Sequence, residues 1–337
     1  MRAIWITKHG GPQVLEVREA PDPSPGAGEV RIRVAAAGLN FADVLARLGF
    51  YPAAPKPPCV VGYEVSGTID QTGAGVEDFA PGDRVAAMTE FGGQADMVCV
   101  SARSTIKLPD EISFETAAAL PLNYLTALHM ARRVAVVKPG DTVLVHAAAG
   151  GVGQALLQVC RIIGGVRVIG TASASKHDAL RRNGCAEAID YRTKDYVEEA
   201  RRLTGGEGVD VVFDCLGGAD WRRGYLLLRS GGRLVAYGFA NIQSGGARRL
   251  LPALLQLARM PRFSPLRLMT DNKSVCGVTL THLWGEPLLP DLAEAVRLCR
   301  EGKLTPHIDS TFSFAEAADA HRRLETRQNS GKVILTP

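Results

Sequence analysis

The sequence predicts an α/β protein in which a compact, mainly antiparallel β unit is followed by a doubly wound parallel sheet. Three observations predict it. Residues Thr142–Gly153 read TVLVHAAAGGVG, a buried-strand signal that runs into a small-residue loop and then into the helical run Val152–Ile163. From about Asn123 onward, strand and helix signals alternate, and such alternation implies parallel strands joined by right-handed crossovers. Before that point, short apolar or alternating runs are punctuated by glycine and proline, the pattern of antiparallel strands joined by turns.

In the first part, Val14–Arg18 and Val30–Ala37 flank the turn segment Pro21–Gly28 (PDPSPGAG), Gly62–Asp70 (GYEVSGTID) is a further strand, and Pro81–Val85 (PGDRV) is a turn feeding another. In the second part the strands are Thr142–His146, Val166–Thr171, Val209–Asp214, Arg233–Tyr237 and Ser274–Leu280. Between them lie the helical stretches Gly153–Ile163, Lys176–Asn183, Lys194–Thr204 and Trp221–Leu228. The end holds two helices, Pro290–Glu301 and Phe314–Glu325, and a closing strand, Lys332–Leu335, expected to return to the first part.

Composition narrows the class. The 337 residues are long enough for two domains, each with its own core. They are 46% hydrophobic and 22% charged, with a net charge of +4 and no Lys/Arg block of the kind that binds nucleic acid. The longest apolar runs fall short of a membrane span, and Met1–Gly10 lacks the apolar core of a signal peptide, so a cytoplasmic address is expected. Seven cysteines are scattered with no paired spacing, which fits free thiols in a reducing compartment.

The loop Ala147-x-x-Gly150-x-x-Gly153 carries the chemistry. Gly150, Gly151, Val152 and Gly153 open a helix whose N-terminus offers unpaired N–H groups and a partial positive charge to a pyrophosphate. Glycine lets the backbone approach the ligand and the helix pack on the strand, although Ala147 stands where the usual pattern has its first glycine. An NAD site would place Asp or Glu about 20 residues further on, against the ribose 2′-hydroxyl. Here the second strand runs out through Thr171 into Ser173 and Lys176, with no acid before Asp178. Ser173 supplies a hydrogen bond and Lys176 a positive charge for a 2′-phosphate, which favours NADPH. Gly238 and Phe239, together with Leu216 and Val278, fall at the carboxyl ends of later strands, where a parallel sheet exposes its ligands.

At Gly38–Asp43 (GLNFAD), Gly62–Gly67 (GYEVSG), Pro81–Val85, Ala147–Gly153 and Gly331–Ile334 the chain resembles medium-chain dehydrogenase/reductases, over essentially its full length. The AAAGGVG form of the loop is similar to the quinone oxidoreductase branch, which lacks zinc, and Leu268–Trp284 (LMTDNKSVCGVTLTHLW) resembles the group named after the vesicle amine transport protein 1. The resemblance implies a GroES-like catalytic domain over residues 1–122 and 282–337, and a Rossmann domain binding NADPH over residues 123–281. It places Tyr191 against the 2′-phosphate, makes Arg327 a further cofactor contact from the C-terminal tail, and places Asn40 and Thr126 near the nicotinamide. It makes Gly49–Pro52 a substrate-side loop, in which Tyr51 either orients a carbonyl and relays a proton or packs over the nicotinamide. The family's zinc enzymes have Gly-His-Glu and four closely spaced cysteines. Here Tyr63 stands at the histidine position and the region after Val85 holds only Cys99, so no zinc is expected. Tyr63 and Phe91 then line the substrate pocket, while His129 and His146 read as structural.

Without a Lewis acid, the chemistry expected is hydride addition to an activated double bond, in a quinone or an α,β-unsaturated carbonyl. Between Arg248 and Lys273, six basic residues face one acid, Asp271. This segment, broken by Pro252, Pro261 and Pro265, is either a basic surface helix or a handle for an anionic substrate, the second favouring an enoyl-CoA reductase. A non-enzymatic NADPH-binding protein, regulatory or membrane-associated, is the remaining alternative. The partner expected is a small-molecule substrate, with no nucleic acid and no integral membrane segment, in a homodimer.

Overall fold

The computed structural model describes residues 1–242, 250–280 and 288–337. The chain divides into two compact units, with Met1–Leu125 and Leu280–Pro337 in the first and Thr126–Ser244 and Arg249–Thr279 in the second.

The first unit is built on a seven-stranded sheet. Its order is Ile308–Ser313, Lys332–Thr336, Glu29–Leu39, Glu64–Thr72, Arg84–Met88 and Thr105–Lys107, with Met97–Ser101 also pairing on Glu29–Leu39. Every pairing is antiparallel except that of Ile308–Ser313 with Lys332–Thr336. Glu29–Leu39 alternates buried and less buried residues in its first half and is buried on both faces in its second, so its early residues show the period of two and its late ones do not. Ile32, Val34, Val65, Ile69, Val85, Val333 and Leu335 pack into the core with Phe314, in the turn Phe314–Glu316, and Ala317, which opens the helix Ala317–Glu325. A three-stranded sheet, Leu15–Glu19, Arg2–Ile6 and Cys59–Val60, completes the unit.

The second unit is a six-stranded sheet in the order Glu187–Asp190, Arg167–Ala172, Thr142–Val145, Val209–Asp214, Leu228–Ala236 and Ser274–Gly277, and all its pairings are parallel. Helices Gly151–Ile163, His177–Arg182, Tyr196–Leu203 and Ala219–Leu227 supply the crossovers between its strands. Leu144, Ile169, Val212 and Leu234 meet Tyr196, Ala200 and Tyr225 in its core.

Three readings are corrected here. Glu187–Asp190 is a strand at the sheet edge, and the fifth strand begins at Leu228 rather than Arg233. Helix Leu250–Ala258 runs through Pro252, which lies in the first turn, where the missing N–H has no intrahelical partner to lose. All seven cysteines are free thiols. Among the described residues, no helix is long and apolar enough to cross a membrane.

Candidate functional site

In the second unit, the parallel strands bring most of the expected residues to one edge. Strand Thr142–Val145 ends in His146, and Ala147 then turns the chain with a left-handed φ of 48°, a conformation that costs a side chain bearing Cβ about 1–2 kcal/mol. Gly150 caps the helix Gly151–Ile163 in extended conformation, and its N–H donates to Ala147 O at 2.8 Å. A Cβ on Gly153 would lie 2.4 Å from Ala147 O and 2.6 Å from Ala148 Cα. The third small residue of the motif is therefore demanded by loop-on-helix packing, while the N–H groups of Gly151, Val152 and Gly153 form the open first turn.

The second strand ends at Ala172, and Ser173 caps the single turn Ala174–Lys176, with Lys176 N donating to Ser173 O at 2.9 Å. Ala172 pairs with Asp190, so Ser173 and Tyr191 leave adjacent strands at the same edge, Tyr191 being 39% exposed. Asp190 is the acid that pairs with Ala172 across this edge. Its carboxylate accepts from Arg192 N at 3.1 Å and from Thr193 Oγ1 at 3.3 Å, so it closes its own turn. The fit to a 2′-phosphate rests on this absence of an acid at the end of the second strand. At the other strand ends, Leu216 N donates to Asp214 Oδ1 at 2.7 Å, and Val278 N donates to Ala236 O at 2.9 Å. Phe239 stacks on Trp221 with ring centroids 5.5 Å apart. A Cβ on Gly217 would come within 2.0 Å of Phe239, and one on Gly238 within 2.9 Å of Cys215 O, so both glycines keep this edge tight. Thr126 is buried in the helix Pro121–Leu128.

In the first unit, Tyr51, Tyr63 and Phe91 come together. Tyr63 meets Tyr51 edge-on at 6.0 Å and Phe91 at 5.5 Å, above Ile6, Val14, Ala46, Cys59 and Val61. Tyr63 is 2% exposed, and burial raises its phenol far above the usual value, so it is a neutral wall. No group of three or more His, Cys, Asp or Glu side chains is gathered as metal ligands among the described residues. Zinc sites need several such donors converging, and Tyr63, at the position expected for a histidine, offers a buried phenol instead.

Asn40 occupies a setting that local sequence does not reveal. Its Nδ2 donates to Glu64 Oε1 at 2.8 Å and to Gly38 O at 3.3 Å, and its Oδ1 accepts from Lys332 Nζ at 2.6 Å. Lys332 also pairs with Glu64, whose other oxygen accepts from Leu122 N at 2.6 Å. Beside them Asp43 accepts from Asn40 N at 2.8 Å, and burial pushes its carboxyl up to about 7. Asn40 is thus held by a buried charge pair, with its amide orientation fixed. Arg327 is exposed just past the helix Ala317–Glu325, at a φ of 57°.

The basic segment divides. Arg248 and Arg249 lie outside the described residues, as does residues 281–284 of the segment resembling the vesicle-protein group. Arg267 pairs with Asp271, and Lys273 donates to Tyr225 O at 3.2 Å while sitting over the Tyr225 ring. Arg259 and Arg262 are exposed. Two of the segment's cations thus make contacts within the second unit.

Comparison with known proteins places these features in a family. The alcohol dehydrogenase GroES-like domain matches residues 26–110, and the zinc-binding dehydrogenase domain matches residues 183–335. The Danio rerio synaptic vesicle membrane protein VAT-1 homolog is 42% identical over 338 residues, covering 99% of this chain and 70% of that protein. A 2-haloacrylate reductase of a Burkholderia species is 34% identical over 354 residues, covering 99% and 98%. Among solved structures, Escherichia coli quinone oxidoreductase complexed with NADPH superposes with a TM-score of 0.89 at 30% identity, covering all of both chains.

Proposed function

Because the chain belongs to the quinone-oxidoreductase-like group of the medium-chain dehydrogenase/reductase family, we propose that it is an NADPH-dependent reductase of conjugated carbonyl compounds, quinones among them, working without zinc. The observation that carries this reading is the carboxyl edge of the parallel sheet. An open helix N-terminus stands beside a second strand that ends in Ser173 and Lys176 with no acid, next to Tyr191. Ser173, Lys176, Tyr191 and Arg327 serve the 2′-phosphate, and Gly150–Gly153 the pyrophosphate. Leu216, Gly238, Phe239 and Val278 line the remainder, and Thr126 and Asn40 serve the nicotinamide end. The relatives named for quinone oxidoreduction and 2-haloacrylate reduction support an acceptor that is already electron-poor.

The cofactor, when bound, supplies a hydride. The chain's own residues bind and orient the reactants, which is where most of the rate enhancement lies in a site without a metal or a strong acid. Tyr63 and Phe91 form an apolar wall for a planar acceptor, and Tyr51 donates a hydrogen bond to the oxygen on which negative charge develops. The proton that completes the reduction comes from solvent.

The test is steady-state NADPH oxidation across quinones, enones and enoyl thioesters, with titration of NADPH and NADH. Turnover of at least one class is expected, with NADPH bound much more tightly than NADH. Lys176→Glu should weaken NADPH alone, by roughly 1–3 kcal/mol. Rapid oxidation of simple alcohols by NADP⁺ with no turnover of the panel would overturn the reaction class, and equal affinity for the two cofactors would overturn the cofactor assignment.

A further inference from the structure

We propose that His146, Thr171 and Asp214 are positioning residues for the dinucleotide, forming one buried relay that ties the glycine loop to the Leu216–Gly217 turn across three strand ends. The inference rests on the cofactor reading above and adds to it residues that do not face the ligand. His146 is fully buried at the end of strand Thr142–Val145, with its N–H donating to Phe213 O at 3.1 Å. Its Nδ1 lies 3.1 Å from Thr171 Oγ1, and Ala147 N donates to that same hydroxyl oxygen at 3.3 Å.

A threonine hydroxyl has a single hydrogen. The oxygen that accepts from Ala147 N can still accept a second bond, so that contact leaves the tautomer open; the carboxylate on the far side of the ring favours the proton on Nε2, with Nδ1 accepting the Thr171 hydrogen. Nε2 lies 4.0 Å from Asp214 Oδ2, an electrostatic contact longer than a hydrogen bond, and neither atom has a hydrogen-bond partner. The other carboxylate oxygen, Asp214 Oδ1, accepts from Leu216 N at 2.7 Å and from Gly217 N at 2.9 Å. The relay therefore runs from the N–H of a left-handed alanine, through a hydroxyl and an imidazole, to a carboxylate that holds the opposite turn. Both turns lie at the carboxyl edge where phosphates and ribose are expected.

The surroundings leave the pair no other role for its polar atoms. Tyr196 packs edge-on against the imidazole at 4.6 Å, and its hydroxyl donates to Asp220 Oδ1 at 3.1 Å. Arg223 lies over the Tyr196 ring and bonds Asp220 at 3.2 Å, so these two charges offset one another. Cys215 Sγ is 3.9 Å from His146 O, and Tyr237 is bonded to Cys215. Burial lowers the His146 pKa and raises that of Asp214, which agrees with an uncharged imidazole. The relay secures a turn that Ala147 would otherwise adopt at a cost, and so presents the helix N-terminus in one position.

The experiment compares Thr171→Val, Thr171→Ser and Asp214→Asn with the unmutated chain by NADPH titration, and reads the His146 ring nitrogens by ¹⁵N NMR, assigned through their loss in His146→Asn. Thr171→Val keeps the branched shape and removes the hydroxyl. It should weaken NADPH about tenfold, the scale of one buried partner lost, and Thr171→Ser should restore affinity to within about twofold. Asp214→Asn should weaken binding by a similar factor, and the unmutated protein should show the Nε2–H tautomer. An Nδ1–H tautomer, or variants that bind NADPH as the unmutated chain does, would overturn the relay while leaving the cofactor reading intact. Failure of the unmutated chain to bind NADPH would overturn both.

Discussion

The carboxyl edge of the parallel sheet and the polar cluster around Asn40 achieve the same end, a side chain or N–H group held in one orientation, by opposite means. At the edge, position comes from backbone. Strands end in register, a left-handed turn follows at Ala147, and Gly153 lets loop and helix touch where a Cβ would lie 2.4 Å from a carbonyl oxygen. Around Asn40, position comes from buried charge, with Glu64 and Lys332 holding the amide from 24 and 292 residues away. Backbone placement punishes added volume, and at this edge the polar side chains of Thr171 and Asp214 only secure turns that the backbone has already made. Charge placement tolerates changes of shape and punishes the loss of one partner.

Four substitutions break or sharpen that contrast. The largest effect is expected from Lys332→Met, which strands the Glu64 carboxylate in the core. It should cost about 3–5 kcal/mol in denaturant unfolding, most of it recovered by adding Glu64→Gln. A single variant as stable as the unmutated protein would show that charge does not hold this cluster. Next is Asp43→Asn. Because burial raises Asp43 to about 7, the folded protein keeps a proton that the unfolded chain releases above about pH 4. Stability from this group is therefore complete at low pH and is lost as pH rises towards 7, by at most about 1.4 kcal/mol per pH unit. The asparagine variant still accepts from Asn40 N and should flatten that slope in unfolding curves between pH 5 and 8; an unchanged slope would place the titration elsewhere. Third, Gly153→Ala should cost about 1–3 kcal/mol through its clash with Ala147 and Ala148, and weaken NADPH in proportion in a fluorescence titration. Unchanged affinity would mean that the edge is more pliable than its geometry implies. The smallest effect is expected for Tyr51→Phe, about 0.5–1.5 kcal/mol and at most about tenfold in kcat, with NADPH affinity held. No change in kcat would leave Tyr51 as packing only.

The contrast also explains what could be read from sequence. The strand, loop and helix at Thr142–Ile163 lie within one continuous segment, and their period and glycine spacing express the fold directly. The strand Glu187–Asp190 escaped because four residues with an acid at each end carry no apolar run. The apolar run that signals a strand begins only at Arg233, whereas the strand itself starts at Leu228 and its ladder to Val209–Asp214 shifts register in between. Glu64 and Lys332 both lie in segments that resembled the family, yet nothing in a one-dimensional pattern pairs a glutamate with a lysine 268 residues away. His146 reads as a core residue, which it is. Its link to Asp214 becomes visible only when two strands distant in sequence are laid side by side.

Lys332 also has a consequence in time. A chain made from its N-terminus exposes Glu64 and Asn40 long before Lys332 exists, whereas the strands that flank Thr142–Val145 in the parallel sheet are complete by Asp214. Those middle strands can therefore pair while the first unit still lacks the cation that neutralises its interior. The first unit is then the last to reach its final form, and the moment at which Asn40 acquires its fixed orientation is set by the arrival of the closing strand.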